Sequence, residues 1–198
     1  MSYFDKVTSF STVTITDQGI DVASFVKACE GLAGIFDSLG SAFGMIKSDI
    51  QGNITKVQTK HKENPQVFAT LESFVKAELA EKKRPAGEGL LWLKRTLEFT
   101  AIGLRSNVTD PNEELSASFT KAYTATLAPF HNFLVRPVFS MAMGACPKRA
   151  DFYKTLGDTD PKFKQQLEEW LVGLEKVVAV LVAFYATNGI DKDIYAKK

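Results

Sequence analysis

Apolar residues recur at three- and four-residue steps along most of the chain, a pattern typical of amphipathic α-helices. The clearest run begins after Asp21 and ends at Gly40, with apolar positions Val22, Phe25, Val26, Cys29, Leu32, Ala33, Phe36 and Leu39. Only residues 13–16 alternate as a strand does, and one short strand cannot form a sheet. The pattern therefore predicts an all-α fold of about eight helices. It follows an N-terminal segment, residues 1–20, that we expect to be mostly extended.

Proline and glycine divide the rest of the chain. Three dipeptides have the form of an N-cap followed by proline at the first helical position: Asn64-Pro65, Asp110-Pro111 and Asp160-Pro161. Pro129 and Pro137 should interrupt the segment that follows the helix from Asp110. The predicted helices after the first are about Met45 to His61, Asn64 to Lys83, Leu90 to Asn107, one from Asp110, Ala150 to Leu156 closed by Gly157, and one from Asp160. Residues 90–107 are apolar on nearly every side, which is typical of a central buried helix.

Three polar residues of the second predicted helix fall on one face. Asp49, Asn53 and Lys56 are spaced by four and then three residues, which places them within an arc of roughly 60°. Gly52 and Asn53 are poor helix formers, each costing up to about 1 kcal/mol relative to Ala. Residues that break a local rule without an evident gain tend to mark functional positions. From periodicity alone, a solvated helix face is the more frequent explanation.

Two aromatic side chains stand out on apolar segments. Trp92 lies within Leu90-Leu91-Trp92-Leu93, and His131 within Phe130-His131-Asn132-Phe133. We expect the latter segment to be helical, so that the histidine shares a face with Leu127, Leu134, Val135, Val138 and Ala142. A flat ring beside a polar cluster suits a sugar, whose hydroxyls need hydrogen bonds and whose C–H face stacks on an indole. A core tryptophan and a satisfied core histidine are the ordinary alternatives.

Four segments carry a resemblance to a known family. Residues 47–56, 91–95, 123–135 and 145–152 resemble, in this order, segments of the glycolipid transfer protein (GLTP) family. The likeness extends from about Phe25 to Tyr195, and Phe133 and the short loops suggest the fungal, heterokaryon-incompatibility (HET-C) type of member. The resemblance implies a single domain over residues 1–198, built as a two-layer helical sandwich with a collapsible apolar lipid pocket.

The resemblance also implies a role for each polar residue. Asp49 would accept hydrogen bonds from the first sugar and from the ceramide amide, whereas Asn53 and Lys56 would hold sugar hydroxyls. Trp92 would be the platform under the first sugar ring. His131 would donate to the carbonyl oxygen of the ceramide amide. Tyr195 matches a family residue that closes over the sugar site.

The remaining expectations concern lipid chains and membranes. By segment match, the hydrocarbon pocket should be lined by Phe36, Leu39, Phe43, Ile46, Leu127, Phe139 and Ala142, although an ordinary core explains each of them equally well. Phe133, Leu134 and Arg136 should dock on a bilayer. Phe133 stands where animal members of the family carry tryptophan. Phenylalanine lacks the indole N–H and anchors less well at the membrane interface, so we expect weaker docking.

Composition and charge limit the function classes. The net charge of +1, from 24 basic and 23 acidic residues, argues against a nucleic-acid partner. Residues 1–6 do not resemble a secretory signal, and the most apolar stretch, Val177 to Ala186, is about half a membrane span. Two cysteines are too few for a disulfide framework or a zinc site. We expect a cytosolic monomer without cofactor or metal, which contacts the cytosolic face of membranes transiently.

The sequence features bear on four possible functions. Transfer of a glycosphingolipid between membranes without chemical turnover fits all the features above. Ceramide-1-phosphate transfer on the same fold would need concentrated positive charge, whereas Asn53 is neutral and Trp92 is a stacking ring. The other alternative is a helical protein-interaction or lipid-sensing module, and a groove that recognises partner helices would leave Asp49, Asn53 and Trp92 without a joint purpose. An enzyme is disfavoured because the sequence has no evident nucleophile–base pair, metal-ligand spacing or glycine-rich phosphate loop.

Overall fold

A computed structural model describes residues 1–190 of the chain. The α-helices are α1 (Val22–Ser38), α2 (Gly44–Glu63), α3 (Leu71–Leu79), α4 (Pro85–Thr109), α5 (Leu115–Thr126), α6 (Val135–Gly144), α7 (Arg149–Leu156) and α8 (Phe163–Thr187). Short 3-10 turns are Tyr3–Asp5, Phe10–Thr12, Ser41–Phe43 and Ala128–Phe130, and the strands are β1 (Ile15–Thr16) and β2 (Gly19–Ile20). Eight α-helices within residues 1–190 agree with the number that the apolar pattern predicts.

Helix α4 is the centre of the fold. It packs against α2, α3, α5 and α8, while α1 lies on α2 and α6 lies on α5. Apolar residues on all its sides allow this, since Leu90, Leu93, Leu97 and Leu104 are all fully buried. At Gly103 an added Cβ would lie 2.7 Å from the ring of Phe119, so the glycine lets α5 approach α4 closely. The N-terminal half of this central helix carries Trp92 and packs on α2, which carries the three polar residues.

The N-terminal segment differs from the extended chain that we expected. β1 pairs antiparallel with β2, a partner strand that the alternation of residues 13–16 does not reveal. Ser2 and Ser9 cap the first two 3-10 turns with their hydroxyls. These turns carry Phe4 and Phe10 onto Trp170 of α8, with ring centroids 5.8 and 5.2 Å apart. The expectation was wrong because hydroxyl caps and two buried rings fold a segment that shows no helical period.

None of the three Asn-Pro and Asp-Pro dipeptides begins a helix, contrary to the prediction. Asp110 Oδ1 accepts from Asn112 N at 2.9 Å, Asp160 Oδ1 from Lys162 N at 2.9 Å and Asn64 Oδ1 from Val67 N at 3.3 Å. These side chains close local turns instead of capping helices, because Asx turns compete with N-caps for the same side-chain oxygen. The following helices α3, α5 and α8 therefore begin at Leu71, Leu115 and Phe163.

Two of the remaining boundary signals behave as predicted, whereas those at Pro85 and Pro137 do not. The helix expected from Leu90 begins at Pro85, because proline at the first helical position has no N–H to leave unpaired. Asp21 caps α1 by accepting from Ser24 N at 2.7 Å. Gly157, with φ +87°, ends α7 in the left-handed conformation. Pro137 was expected to kink or break its segment, but it lies in the first turn of α6, where a missing N–H is tolerated.

Helix α8 extends well beyond the apolar stretch Val177 to Ala186. Its 25 residues reach a mean hydropathy of 1.7 over 18 residues, which is enough by length and composition to cross a membrane. However, 44% of that window is buried inside the fold, and α8 packs on α4 and on the first two 3-10 turns. A core helix of a soluble protein meets the same criteria.

Candidate functional site

The three polar residues of α2 come together as their spacing predicts. Asn53 Nδ2 donates to Asp49 Oδ2 at 3.0 Å, and Lys56 Nζ donates to Asn53 Oδ1 at 3.0 Å. Asn53 is only 2% exposed, so its amide lies beneath the two charged groups and links them. The arrangement presents an acceptor and a cation on one face of α2. Their backbone positions are about two helical turns apart, and both side chains converge on the amide between them.

Asp49 is exposed at the surface, although neighbouring protein atoms partly desolvate its carboxylate. Burial raises its pKa above the ordinary 3.8, while the charge of Lys56 and the hydrogen bond from Asn53 lower it. A carboxylate in its ionised form accepts through two oxygens, of which one receives the Asn53 amide. The remaining acceptor sites on Asp49 can receive O–H or N–H groups of a ligand, which would replace the hydration that burial removes.

A close approach between α2 and α4 lies one helical turn before Trp92. A Cβ added at Gly89 would lie 3.1 Å from Lys56 Cδ, 3.2 Å from Lys56 Cβ and 3.3 Å from the carbonyl oxygen of Asn53. The glycine therefore lets the two helices touch at the residues of the polar cluster. Because residues three apart share a helix face, Trp92 extends along α4 from the same contact.

His131 stands among aromatic rings. Its ring is stacked on Trp92 with centroids 5.6 Å apart and an interplanar angle of 20°. Phe139 lies 4.4 Å away between centroids, and the Tyr123 hydroxyl is 3.2 Å from His131 Nδ1. The structure thus brings Trp92 and His131 together, although 39 positions separate them in the sequence.

The local backbone at His131 is not the helix that we expected. His131 follows the 3-10 turn Ala128–Phe130 with φ −89° and ψ 135°, and α6 begins only at Val135. The prediction was wrong because Pro129, in that turn, cannot continue the hydrogen bonding of α5. The shared helical face with residues 127–142 does not exist.

Burial lowers the pKa of His131 below its ordinary 6.5, and the positive charges of Arg95 and Arg136 lower it further. The imidazole is therefore neutral near neutral pH, with a proton on one nitrogen only. Such a ring can donate one hydrogen bond to a carbonyl oxygen, which is the chemistry that the sequence resemblance implies.

Arg95 is a site residue to which the sequence reasoning gave no role. Its guanidinium carbon lies 3.5 Å from the ring centroid of Phe130 and 4.8 Å from that of Trp92. Arginine over aromatic faces is a favourable cation–π arrangement. The contact ties the platform on α4 to the turn that precedes His131, and no sequence spacing indicates it.

The segment after His131 forms an exposed apolar surface. Phe133 and Leu134 are 80% and 66% exposed, and Met45 and Met141 are also strongly exposed. The 3-10 turn before Met45 contacts α6, which carries Met141. We call these four residues the docking surface. The two methionines were missed because isolated methionines in helical patterns give no signal.

Arg136 was predicted to dock on the membrane with Phe133 and Leu134. Its Nε instead points to the loop, donating to the carbonyl oxygens of His131 at 2.9 Å and Ala128 at 3.1 Å. The guanidinium therefore holds the backbone on which His131 stands. Contact with a membrane stays a prediction for all three residues.

All seven residues predicted to line a hydrocarbon pocket are buried in the apolar core: Phe36, Leu39, Phe43, Ile46, Leu127, Phe139 and Ala142. Phe36 contacts Phe43 and Phe99 at centroid distances of 6.1 and 6.4 Å. Cavities of about 670 and 490 Å³ lie elsewhere, between α7 and α8 and between α4 and α8. A pocket between these side chains stays a prediction, and it would have to open as a lipid enters.

Two further predictions concern Tyr195, as a residue that closes over the sugar, and the absence of a metal site. Tyr195 lies outside the described residues. Within residues 1–190 no group of three or more His, Cys, Asp or Glu side chains is arranged to hold a metal ion.

Comparison with known proteins gives a consistent result. The family model described as glycolipid transfer protein (GLTP) matches residues 20–158. A glycolipid transfer protein of Aureobasidium melanogenum is 44% identical over 189 residues, covering 94% of each chain. Human pleckstrin homology domain-containing family A member 8 is 33% identical over 94% of this chain, which spans 38% of that longer protein.

Solved structures agree on the fold. The fungal glycolipid transfer protein HET-C2 superimposes with a TM-score of 0.88 and 42% identity, covering 93% of this chain and 97% of that one. The GLTP-fold structure of FAPP2, described as selecting simple glycosphingolipids, gives a TM-score of 0.85 and 31% identity over 98% and 99%. Human ceramide-1-phosphate transfer protein gives 0.84 at 21% identity over 96% and 98%, a likeness that concerns the fold alone. The predicted all-α, two-layer fold and the resemblance to fungal HET-C members are confirmed.

Proposed function

Because the chain belongs to the glycolipid transfer protein family, we propose that it binds one glycosphingolipid and carries it between membranes without chemical turnover. The observation that carries the proposal is the joined cluster on α2 and α4. Asp49 and Lys56 are linked through the buried amide of Asn53, and Gly89, which faces Lys56, lies three residues before Trp92 on α4. An acceptor, a cation and a flat ring together suit a sugar headgroup.

The headgroup would be divided among these groups by their hydrogen-bonding capacity. Asp49, which only accepts, receives a sugar hydroxyl and the amide N–H of the ceramide. Lys56, which only donates, binds sugar hydroxyl oxygens. Asn53 is nearly buried and bonded to both neighbours, so its main part is to position them, and its predicted direct contact with the sugar uses its second N–H. His131 donates to the amide carbonyl beside the indole.

The hydrocarbon chains would enter the core next to this cluster. Rings and aliphatic side chains there exchange contacts with one another for contacts with methylene groups, so little polar surface has to be desolvated. Each methylene removed from water contributes about 0.8 kcal/mol. The stacked pair of Tyr123 and Phe139, with centroids 5.2 Å apart, connects His131 to that apolar interior and marks a path from the amide to the chains.

The lipid would enter and leave while the docking surface contacts a bilayer. Four exposed apolar side chains near the His131 loop are suited to shallow insertion, whereas a net charge of +1 gives little general attraction to anionic membranes. Cys29 and Cys146 are free thiols, which is compatible with the reducing cytosol. We place the protein on the cytosolic face of membranes as a monomer, to be checked by cell fractionation and by light scattering.

The alternative ligand on the same fold is ceramide-1-phosphate. A phosphate needs concentrated positive charge, whereas Asn53 at the centre of the cluster is neutral. The stacking face of Trp92 also gives a phosphate no hydrogen bond. These two residues favour a neutral sugar over a phosphate.

Transfer of fluorescent lipids between vesicles tests the proposal. Wild type should move glucosylceramide or galactosylceramide, and Asp49→Asn and Trp92→Ala should abolish that movement while remaining folded by circular dichroism. Trp92→Phe should keep part of the activity because it retains a flat ring. Asp37→Asn is the matched control, since Asp37 is an exposed helical carboxylate paired with Lys47 away from the cluster.

The lipid that moves in this assay distinguishes the proposed function from its two alternatives. Movement of ceramide-1-phosphate in place of the glycolipid would overturn the headgroup assignment while leaving the fold. If neither lipid moves, a helical protein-interaction module becomes the better explanation.

A further inference from the structure

Tyr123 contacts the histidine of the site through a polar atom. Its hydroxyl oxygen lies 3.2 Å from His131 Nδ1, and its ring is stacked on Phe139 at an angle of 14°. Tyr123 is buried on α5, so packing fixes the position of its hydroxyl. The sequence resemblance assigns no role to this tyrosine.

Two protonation patterns fit the contact between these rings. Either the hydroxyl donates to an unprotonated Nδ1, or a protonated Nδ1 donates to the hydroxyl oxygen. The phenol O–H is more acidic than the N–H of a neutral imidazole, so it is the better donor. The unprotonated imidazole nitrogen is a better acceptor than the phenol oxygen. The O–H to N pattern is therefore the stronger hydrogen bond.

Both rings hold the charge state that this pattern requires. Burial raises the pKa of Tyr123, so the phenol keeps its proton. Burial lowers the pKa of His131, and Arg95 and Arg136 act in the same direction, so the imidazole is neutral.

We propose that Tyr123 is a positioning residue that donates to His131 Nδ1 and so holds the imidazole proton on Nε2. The Nε2–H then points away from Tyr123 as the donor for the amide carbonyl of the lipid. A partner on one ring nitrogen commonly sets the tautomer at the other in this way. The ligand part of this inference rests on the proposed function, whereas the tautomer does not.

Nuclear magnetic resonance of the lipid-free protein tests the tautomer directly. His61 supplies an internal reference, because its Nδ1 is 2.8 Å from the carbonyl oxygen of Phe68 and must be the donor in that bond. The two histidines should therefore show opposite tautomers in one long-range ¹H–¹⁵N spectrum. His131→Gln assigns the signals, and Tyr123→Phe should raise the population of the Nδ1-protonated form of His131. Protonated Nδ1 in wild-type His131 overturns the proposal.

A double-mutant cycle tests whether Tyr123 acts through His131. Tyr123→Phe should reduce the rate of glycolipid transfer about three- to tenfold, the usual effect of losing one neutral hydrogen bond. In a His131→Ala background the same substitution should have no further effect, because the residue on which it acts is gone. Equal losses in both backgrounds would show a merely structural role and overturn the proposal.

Tyr153→Phe is the matched control for this cycle. It removes another buried tyrosine hydroxyl, which donates to Asn107 Oδ1 at 2.9 Å, far from His131 in the sequence and on α7. Its transfer rate should equal that of wild type in a protein that remains folded. A wild type that transfers no glycolipid would reject the proposed function, while the tautomer measurement would still decide the role of Tyr123.

Discussion

Two glycines in contacting helices allow one substitution to be compared in two environments. Gly52 of α2 has open space around an added Cβ, whereas Gly89 of α4 faces Lys56 and the carbonyl oxygen of Asn53. In a helix interior, alanine is favoured over glycine by about 0.8–1.0 kcal/mol. Gly52→Ala should therefore raise the free energy of unfolding by about 1 kcal/mol, with no structural change.

At Gly89 the same gain is opposed by overpacking. The added methyl group would lie 3.1–3.3 Å from three atoms, and two of them, Lys56 Cβ and the Asn53 carbonyl oxygen, cannot move without their backbone. Inserting a methylene into a packed contact costs about 1–3 kcal/mol. Gly89→Ala should therefore leave the free energy of unfolding between unchanged and about 2 kcal/mol lower than wild type.

The same displacement should affect the proposed lipid site, since the two helices would part beside Lys56, one helical turn from Trp92. We expect Gly89→Ala to slow glycolipid transfer severalfold and Gly52→Ala to leave it unchanged. Urea unfolding followed by circular dichroism and the vesicle transfer assay measure the two effects. If both variants gain the same stability and transfer lipid at the wild-type rate, the close approach at Gly89 does not place the site.

Three further predictions concern docking, pH and the N-terminal segment. Phe133→Trp should raise binding to neutral vesicles severalfold, since an indole anchors better than a phenyl ring at the membrane interface. The control Val172→Trp, at an exposed position of α8, should not raise it. Equal partitioning of Phe133→Trp and wild type in a vesicle sedimentation assay would contradict this prediction. Burial raises the pKa of Asp49, so the folded state binds more protons than the unfolded state just above the ordinary carboxyl pKa, and stability falls as pH rises through that window. Asp49→Asn should thus be more stable than wild type near pH 7 and lose this advantage near about pH 3, and urea midpoints that differ equally at both pH values would refute it. Gly173→Ala would place a Cβ 2.1 Å from Ser11 N and should lower the free energy of unfolding by about 3 kcal/mol, so an unchanged urea midpoint would show that the segment is not held there.

The parts of the site that the sequence predicts are those that depend on local geometry. A helix of 3.6 residues per turn fixes where Asp49, Asn53 and Lys56 point, so spacing alone predicts their common face. The bonds between them follow from side-chain length and type. The apolar surround of residues 90–107 likewise predicts a central helix, because only a fully surrounded helix can be apolar on every side.

The parts that it misses depend on contacts between distant segments or on competition between local motifs. Arg95 touches Phe130 across two elements, and no periodicity relates them. Asp110 closes a turn with its carboxylate instead of capping a helix, although both uses have the same sequence signature. Periodicity also shows that Phe36 and Phe139 are buried, but it does not distinguish a filled core from a pocket that opens.

The contact of the first two 3-10 turns with α8 joins the start of the chain to its last helix, so it can form only after α8 has been synthesised. Gln166 Nε2 donates to Asp5 Oδ1 at 2.7 Å across 161 positions, and Phe4 and Phe10 cover Trp170 at the same seam. Pairings so distant in sequence form only after the intervening chain has been brought together, and they slow folding. During translation these two rings remain exposed until α8 leaves the ribosome, whereas α1, α2 and α4 can already pack together. The rings of this seam therefore add to the apolar surface through which a nascent chain can aggregate.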